Sequence, residues 1–156
     1  MEHVVARSPD LDGHGVRVWF LEPATMVNQV YVGKTMSVPI ATFIINDVEK
    51  ELQRRFVSRG AKVRYVHDWR ACIEYEPQAR QMLLDWGRRS RPHTQQVTIS
   101  LSPQASPFMQ IAANSAVTLL RIAGMKISLA NDFELVSREL RALSSPPLSG
   151  PAARRL

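Results

Sequence analysis

The sequence is poor in cysteine, and its single thiol limits the covalent framework that the chain can have. Cys72 has no second cysteine with which to form an internal disulfide. The chain is therefore excluded from the small disulfide-stapled class, and this cysteine usage is typical of a reducing compartment. A disulfide or metal cross-link is also unnecessary for stability, because a chain of 156 residues buries about two-thirds of its unfolded surface on folding.

The sequence also lacks long apolar runs. Its longest nearly uncharged apolar stretch extends from Phe108 to Leu120 and stops at Arg121, short of the roughly 20 residues that span a bilayer. The segment from Met1 to Arg7 has no apolar core of signal-peptide length before Pro9 interrupts it. We therefore expect a cytoplasmic protein without a membrane span.

Loops for phosphate binding and spacings for metal binding are missing as well. The seven glycines form neither a Gly-Xaa-Gly-Xaa-Xaa-Gly pattern nor a Walker loop. The four histidines, His3, His14, His67 and His93, are scattered without a ligand spacing that would put them on one face. The sequence therefore predicts no cofactor and no metal site.

Charge is abundant but has mainly one sign. Lysine and arginine together number 20 against 14 acids, for a net charge of +6, and 16 of the 20 are arginine. Two clusters flank predicted helix ends and are candidate polyanion-binding residues: Arg54, Arg55 and Arg59, and Arg88, Arg89 and Arg91. Cations at helix C-termini are also favourable by about 0.3–1 kcal/mol each, and no aromatic residues interleave with them for base stacking. A polyanion or nucleic-acid binder is therefore the second interpretation.

Alternating patterns predict an α/β fold. Segments rich in β-branched and aromatic residues predict five strands, and apolar residues every three or four positions predict helices. The strands are 16–21, 26–32, 62–66, 97–101 and 126–130; the helices are 37–60, 76–86, one within 102–123, and one carrying Phe133, Val136, Leu140 and Leu143. Because strands alternate with helices after the hairpin, we expect a mixed or mostly parallel sheet covered by helices.

The two ends of the chain have a different composition from its body. Residues 1–15 are polar and rich in turn formers, which indicates a flexible leader. Residues 144–156 contain three prolines and show no periodicity, which indicates a disordered tail. We therefore predict a single domain over residues 16–143.

His67 and Asp68 lie at the end of the third predicted strand, where open α/β sheets place ligands. Phosphoacceptor chemistry on Asp68 would require an acidic pair after the first strand and a lysine after a late one, which the sequence does not supply. Cys72 with His67 suggests a nucleophile and base but lacks an orienting third group. We therefore predict no catalytic site. The alternative is an enzyme that uses these three residues, and it would be favoured if their side chains met in one pocket.

The predicted third helix is apolar nearly all round. Its small residues Ala112, Ala113, Ser115 and Ala116 permit close approach of another backbone. A helix of this kind is buried on more than one side. It is either central in the monomer, or one face meets a second subunit or a hydrophobic ligand.

Several segments together resemble the STAS domain, the fold of bacterial anti-sigma-factor antagonists. They are the hairpin followed by Gly33-Lys34-Thr35-Met36, the strand Val63 to Val66 continuing into His67-Asp68-Trp69-Arg70, and Leu101-Ser102 leading into a helix. The resemblance extends over residues 16–143. It implies a mixed five-stranded sheet covered by about four helices.

The resemblance also implies a function. STAS antagonists are noncatalytic regulatory modules that bind a protein partner around the helix after the third strand, which here gives Asp68, Trp69, Arg70, Tyr75 and Glu76 as partner-binding residues. In the family, a serine at the start of that helix is phosphorylated to turn binding off. Residues 73–78 contain no serine or threonine, so the usual phosphoswitch is not expected. Either Glu76 supplies that charge permanently, or it is simply a favourable first-turn acid. The expected partner is another protein or a second copy.

Overall fold

The computed structural model describes residues 8–130 and, beyond them, residues 134, 137, 138 and 141. Its main sheet has six strands: β1 (Leu11–Gly13), β2 (Val16–Leu21), β3 (Thr25–Val30), β5 (Val63–Trp69), β7 (Thr94–Leu101) and β8 (Ile127–Ala130). They lie side by side in that order; β1, β2 and β3 pair antiparallel, and β3, β5, β7 and β8 pair parallel. Two short strands, β4 (Thr35–Met36) and β6 (Glu74–Tyr75), form a separate parallel pair.

Three helices connect the parallel strands. The first, α1, is continuous through an α-helical segment Val38–Phe43, a π-helical turn Ile44–Val48 and a second α-helical segment Glu49–Arg55. The other two are α2 (Pro77–Ser90) and α3 (Pro107–Ile122). Each starts with proline at or near its first position, where the missing N–H costs little. The predicted α/β class is confirmed.

The sheet has two differently covered faces, because successive side chains of a strand point to opposite sides. The larger core lies on the side of the three helices and includes Val16, Val18, Met26, Tyr65 and Val97. The opposite face carries a smaller cluster of Trp19, Leu21, Val27 and Val66. Neighbouring residues of β5 therefore belong to different sites.

The structure corrects the predicted number of strands and helices. β1 lies inside the segment 1–15 predicted as a leader, where Asp10 Oδ2 accepts a 2.7 Å hydrogen bond from the Phe20 backbone. The sheet thus has six strands instead of five. Residues 8–130 contain three helices, against about four predicted for residues 16–143. The apolar residues predicted for a fourth helix (Phe133, Val136, Leu140 and Leu143) and the tail 144–156 lie outside the described residues.

The second helix was predicted to end before Gly87, but α2 continues to Ser90. A Cβ at Gly87 would lie 3.3 Å from the Leu120 side chain. Glycine at this position is therefore a packing residue that lets α3 approach α2 closely, and it does not end the helix.

Glu76 connects the start of α2 to the start of α1. Its carboxylate Oε2 accepts a 2.8 Å hydrogen bond from the backbone N–H of Val38, the first residue of α1. Ser37 is the N-cap residue of α1, but its side chain makes no hydrogen bond to the helix. A carboxylate at this end of a helix satisfies a donor that the helix itself leaves open and is favoured by the helix dipole.

We expect Glu76→Ala to lower the free energy of unfolding by about 1 kcal/mol, because one helix cap is lost. Urea unfolding followed by circular dichroism measures the effect as a lower midpoint at an unchanged slope. Glu74→Ala is the matched control, since Glu74 is also exposed and precedes the same helix. Equal urea midpoints for the two variants would show that the Glu76 hydrogen bond does not stabilise the fold.

Candidate functional site

An apolar cavity of about 100 Å³ lies between α2, α3 and the strands β5, β7 and β8. It is partly open to the surface, and its wall is rich in aromatic and sulfur-containing side chains. These include Tyr65, Trp69, Tyr75, Trp86, Met36, Met109 and Met125. Trp86 is held by a 3.1 Å hydrogen bond from its indole N–H to Glu49.

His67 is one of the buried polar residues that line this cavity. Its ring centroid lies 4.8 Å from that of Trp69 and 6.1 Å from that of Trp86, and the residue is 3% exposed. Burial lowers the pKa of His67 to about 3, from an ordinary value of 6.5, because an imidazolium is poorly solvated there. His67 is therefore neutral at physiological pH.

Asn28 and Trp69 fix which nitrogen of His67 carries the proton. The indole N–H of Trp69 can only donate, and it donates to Asn28 Oδ1 at 3.0 Å. The Asn28 amide must then present its NH₂ group to His67 Nδ1, 2.6 Å away. Nδ1 is consequently the acceptor, and Nε2 carries the hydrogen. No partner for Nε2–H exists among the described residues.

Asp68 belongs to the opposite face of the sheet. Strand register places Gln29 beside it, and Gln29 Nε2 donates to Asp68 Oδ2 at 2.9 Å. Arg70 donates to the same carboxylate through Nε at 2.8 Å and through Nη2 at 3.0 Å. The Asp68 side chain is only 3% exposed, against 33% for Arg70. Hydrogen bonding to Asp68 raises the pKa of Arg70.

The three reactive groups singled out in the sequence do not converge. His67 and Asp68 are neighbours in β5 and lie on opposite faces of the sheet. Cys72 is buried, and burial raises the pKa of its thiol to about 12. A thiol at neutral pH is a poor nucleophile. Of the three, only His67 lines the cavity.

The predicted partner-binding residues gather near the end of β5 but face different surroundings. Trp69 and Tyr75 line the cavity, whereas Glu76 is exposed and caps α1. Asp68 is buried, and its carboxylate is occupied by Gln29 and Arg70. Its position is that of a residue that holds Arg70 in place.

The arginine clusters lie at the ends of α1 and α2, which both lead back to the N-terminal edge of the parallel strands. Arg54 and Arg55 both bind Glu51, at 2.8 and 3.1 Å, and Arg88 binds Asp85 at 3.3 Å. The remaining three, Arg59, Arg89 and Arg91, have no ion-pair partner in the described part of the chain. Three of the six candidate arginines are thus paired, but with only two carboxylates, so a third of the candidate polyanion-binding charge is neutralised.

The helix α3 packs one face inward and leaves an apolar face uncovered. Met109, Ala112, Val117 and Leu120 are buried. On the outer side, Phe108, Ile111, Leu119 and Ile122 are exposed by 78%, 64%, 41% and 79%. We call Phe108, Ile111, Ser115, Leu119 and Ile122 the α3 stripe. Of the two arrangements that the sequence left open, the packing of the described residues favours the second, because they do not bury α3 all round.

Arg80 is a residue of the cavity wall that the sequence analysis missed. It lies in the first turns of α2, and its Nε is buried without a hydrogen-bond partner among the described residues. A single arginine in an amphipathic helix carries no signal by itself. Its position follows only from how α2 packs against the sheet.

Comparison of the chain with protein-family models, with curated proteins and with solved structures gave no match. Within the described ranges, no helix is long and apolar enough to cross a membrane. In the same ranges, no three His, Cys, Asp or Glu side chains form a group suited to a metal ion.

Proposed function

We propose that this chain is a noncatalytic, STAS-like protein-interaction module that docks onto a second copy of itself through the α3 stripe. The observation that carries the proposal is the uncovered apolar face of α3, with three of its four large side chains more than 60% exposed. A contiguous exposed apolar patch is typical of an interaction site. The separation of His67, Asp68 and Cys72 supports a role other than catalysis.

The spacing of the α3 stripe favours a second copy as the partner. Ile111 and Leu119 are each four residues from Ser115, and Phe108 and Ile122 are each seven residues from it. If two copies of α3 pair antiparallel around an axis at Ser115, Phe108 faces Ile122 of the partner subunit and Ile111 faces Leu119 of the partner subunit. A two-fold interface must be self-complementary in this way.

The polar side chains near the α3 stripe can be buried at little cost in free energy. Ser115 Oγ donates to the Ile111 carbonyl at 2.8 Å, and Thr118 Oγ1 donates to the Asn114 carbonyl at 2.9 Å. Their hydrogen bonds are already made inside the helix, so burial does not leave them unsatisfied. No charged residue occurs between Pro107 and Leu120, and Arg121 donates to the Ile127 carbonyl of its own chain at 2.8 Å.

We expect sedimentation equilibrium to give twice the mass of one chain at about 100 µM, a concentration at which even a weak interface is populated. Ile122→Lys should give the mass of one chain, because two buried lysines would face the apolar side chains of the other copy. Asn114→Lys is the control, since Asn114 is exposed on the same helix about a quarter-turn from the α3 stripe. It should leave the dimer intact.

A monomeric wild-type protein at that concentration would overturn the proposal, as would a dimer that persists in the Ile122→Lys variant. Salt separates this interface from the second candidate function, a polyanion binder that uses Arg59, Arg89 and Arg91. An apolar interface should be nearly insensitive to ionic strength, whereas association with phosphates should weaken steeply, since counterions are released on binding. Tight, salt-sensitive binding of an RNA or DNA oligonucleotide to a monomer would favour that second candidate.

A further inference from the structure

We infer that the aromatic cavity between α2, α3 and the sheet is a binding site for a small monocarboxylic acid whose apolar body is about the size of one ring. Arg80 and His67 would bind the carboxylate, and the aromatic and methionine side chains would enclose the body. This site is separate from the α3 stripe, which lies on the outer side of α3. The inference therefore does not depend on self-association.

The charge of the cavity wall favours an anion. Apart from Arg80 and His67, the lining is almost entirely apolar or aromatic. Arg80 has no carboxylate within ion-pair distance in the described part of the chain, and its buried Nε–H has no acceptor there. A guanidinium beside an apolar cavity without a counter-ion favours an anionic ligand, because a cation is costly to desolvate unless it is paired.

The direction of the hydrogen bonds favours a ligand that accepts. His67 presents Nε2–H, since Asn28 fixes its tautomer, and Arg80 has only donors. These two donors line the cavity from β5 and from α2, and the buried Tyr65 hydroxyl, which also lacks a partner among the described residues, can donate as well. A ligand that offers acceptors therefore suits the lining. A carboxylate has two oxygens and no donor, so it satisfies both groups, whereas a hydroxyl or an amine brings at least one proton of its own.

The volume of the cavity limits the size of the ligand body. An apolar cavity of about 150 Å³ accommodates benzene, and this cavity measures about 100 Å³ and is partly open. A single ring or a short branched chain therefore fits when the cavity widens toward that volume, through movement of the methionine side chains, which adapt readily. A long acyl chain does not. Arg80 is only partly buried, which places its charge between the cavity and solvent, where the head group of such a ligand would lie.

The test uses phenylacetate as the probe, titrated into the full chain and followed by calorimetry and by tryptophan fluorescence. We expect saturable binding and at least tenfold weaker binding of 2-phenylethanol, which has the same ring without the charge. Arg80→Gln should weaken phenylacetate binding about tenfold or more. Arg89→Gln is the control, because it removes the same charge from α2 at a residue that does not line the cavity.

A cavity-filling variant tests the location of the site. Ala116 lines the cavity, and Ala116→Leu should abolish binding of phenylacetate because the added carbons occupy its volume. Circular dichroism establishes that each variant is folded. The inference is overturned if phenylacetate does not bind at about 10 mM, where millimolar affinity would saturate. It is also overturned if 2-phenylethanol binds as tightly, or if Arg80→Gln and Arg89→Gln bind the acid equally well.

Discussion

Between about pH 6.5 and pH 4.5, the free energy of unfolding of the wild-type protein should fall by about 2 kcal/mol more than that of a His67→Gln variant. The reason is the buried imidazole. Its pKa is lowered to about 3 in the folded state, from 6.5 without burial. In this pH range the unfolded chain takes up a proton that the folded chain does not bind.

The direction of the effect follows from proton linkage. Stability rises with pH wherever the unfolded state binds more protons, so the contribution of His67 is complete above pH 6.5 and is lost as the pH falls toward 3. Glutamine is a neutral replacement whose side-chain oxygen can still accept from the Asn28 amide. Carboxylates that also destabilise the fold in acid are present in both proteins, and their effect cancels in the difference.

Urea unfolding at half-unit steps of pH measures both stability curves. A second readout is the NMR signal of the His67 ring, which should not titrate in the folded wild-type protein above about pH 4. Parallel stability curves for the two proteins would contradict the prediction. So would a ring signal that titrates near 6.5, because the imidazole would then be accessible to solvent.

Much of the fold follows from local sequence pattern. Val16 to Leu21 is predicted as a strand and is a strand between those same residues, because its β-branched and aromatic residues favour an extended backbone within the segment itself. The strand Leu11–Gly13 was missed, since its three residues show no such pattern and are held by pairing with β2. Its formation depends on a partner elsewhere in the chain.

The site depends still more on distant parts of the chain. The proton position of His67 is set by Asn28, which is 39 residues away in sequence and is brought beside it by the register of β3 and β5. The sequence does mark His67 as a residue at a ligand-binding edge. It gives no indication of the cavity, of Arg80 in its wall, or of the opposite orientation of Asp68.

The pattern of α3 shows a different limit. Its residues are apolar nearly all round, and periodicity alone does not tell which side the rest of the monomer covers. The structure places Met109 and Leu120 inside and leaves Phe108 and Ile122 exposed. Composition therefore left both arrangements open, and only the packing identifies the face of α3 that stays exposed.

Replacing Arg70 by alanine should lower the free energy of unfolding by about 3 kcal/mol, at the lower end of the cost of breaking a buried ion pair. Arg70 makes two charge-assisted hydrogen bonds to Asp68, and the Asp68 side chain is 3% exposed. Without the guanidinium, the donors that a buried carboxylate keeps among the described residues are the Gln29 amide and the Arg70 backbone N–H.

The charge left behind decides the size of this effect. Asp68→Asn should therefore cost less than Arg70→Ala, because the arginine that remains is 33% exposed and can be solvated. The double variant Asp68→Asn/Arg70→Ala should be more stable than Arg70→Ala alone, since it leaves no buried charge. Urea unfolding of the four proteins forms a double-mutant cycle. If the two single changes are additive, or if Asp68→Asn is the more costly of them, the ion pair does not have the role inferred here, and Arg70 stabilises the sheet through its packing alone.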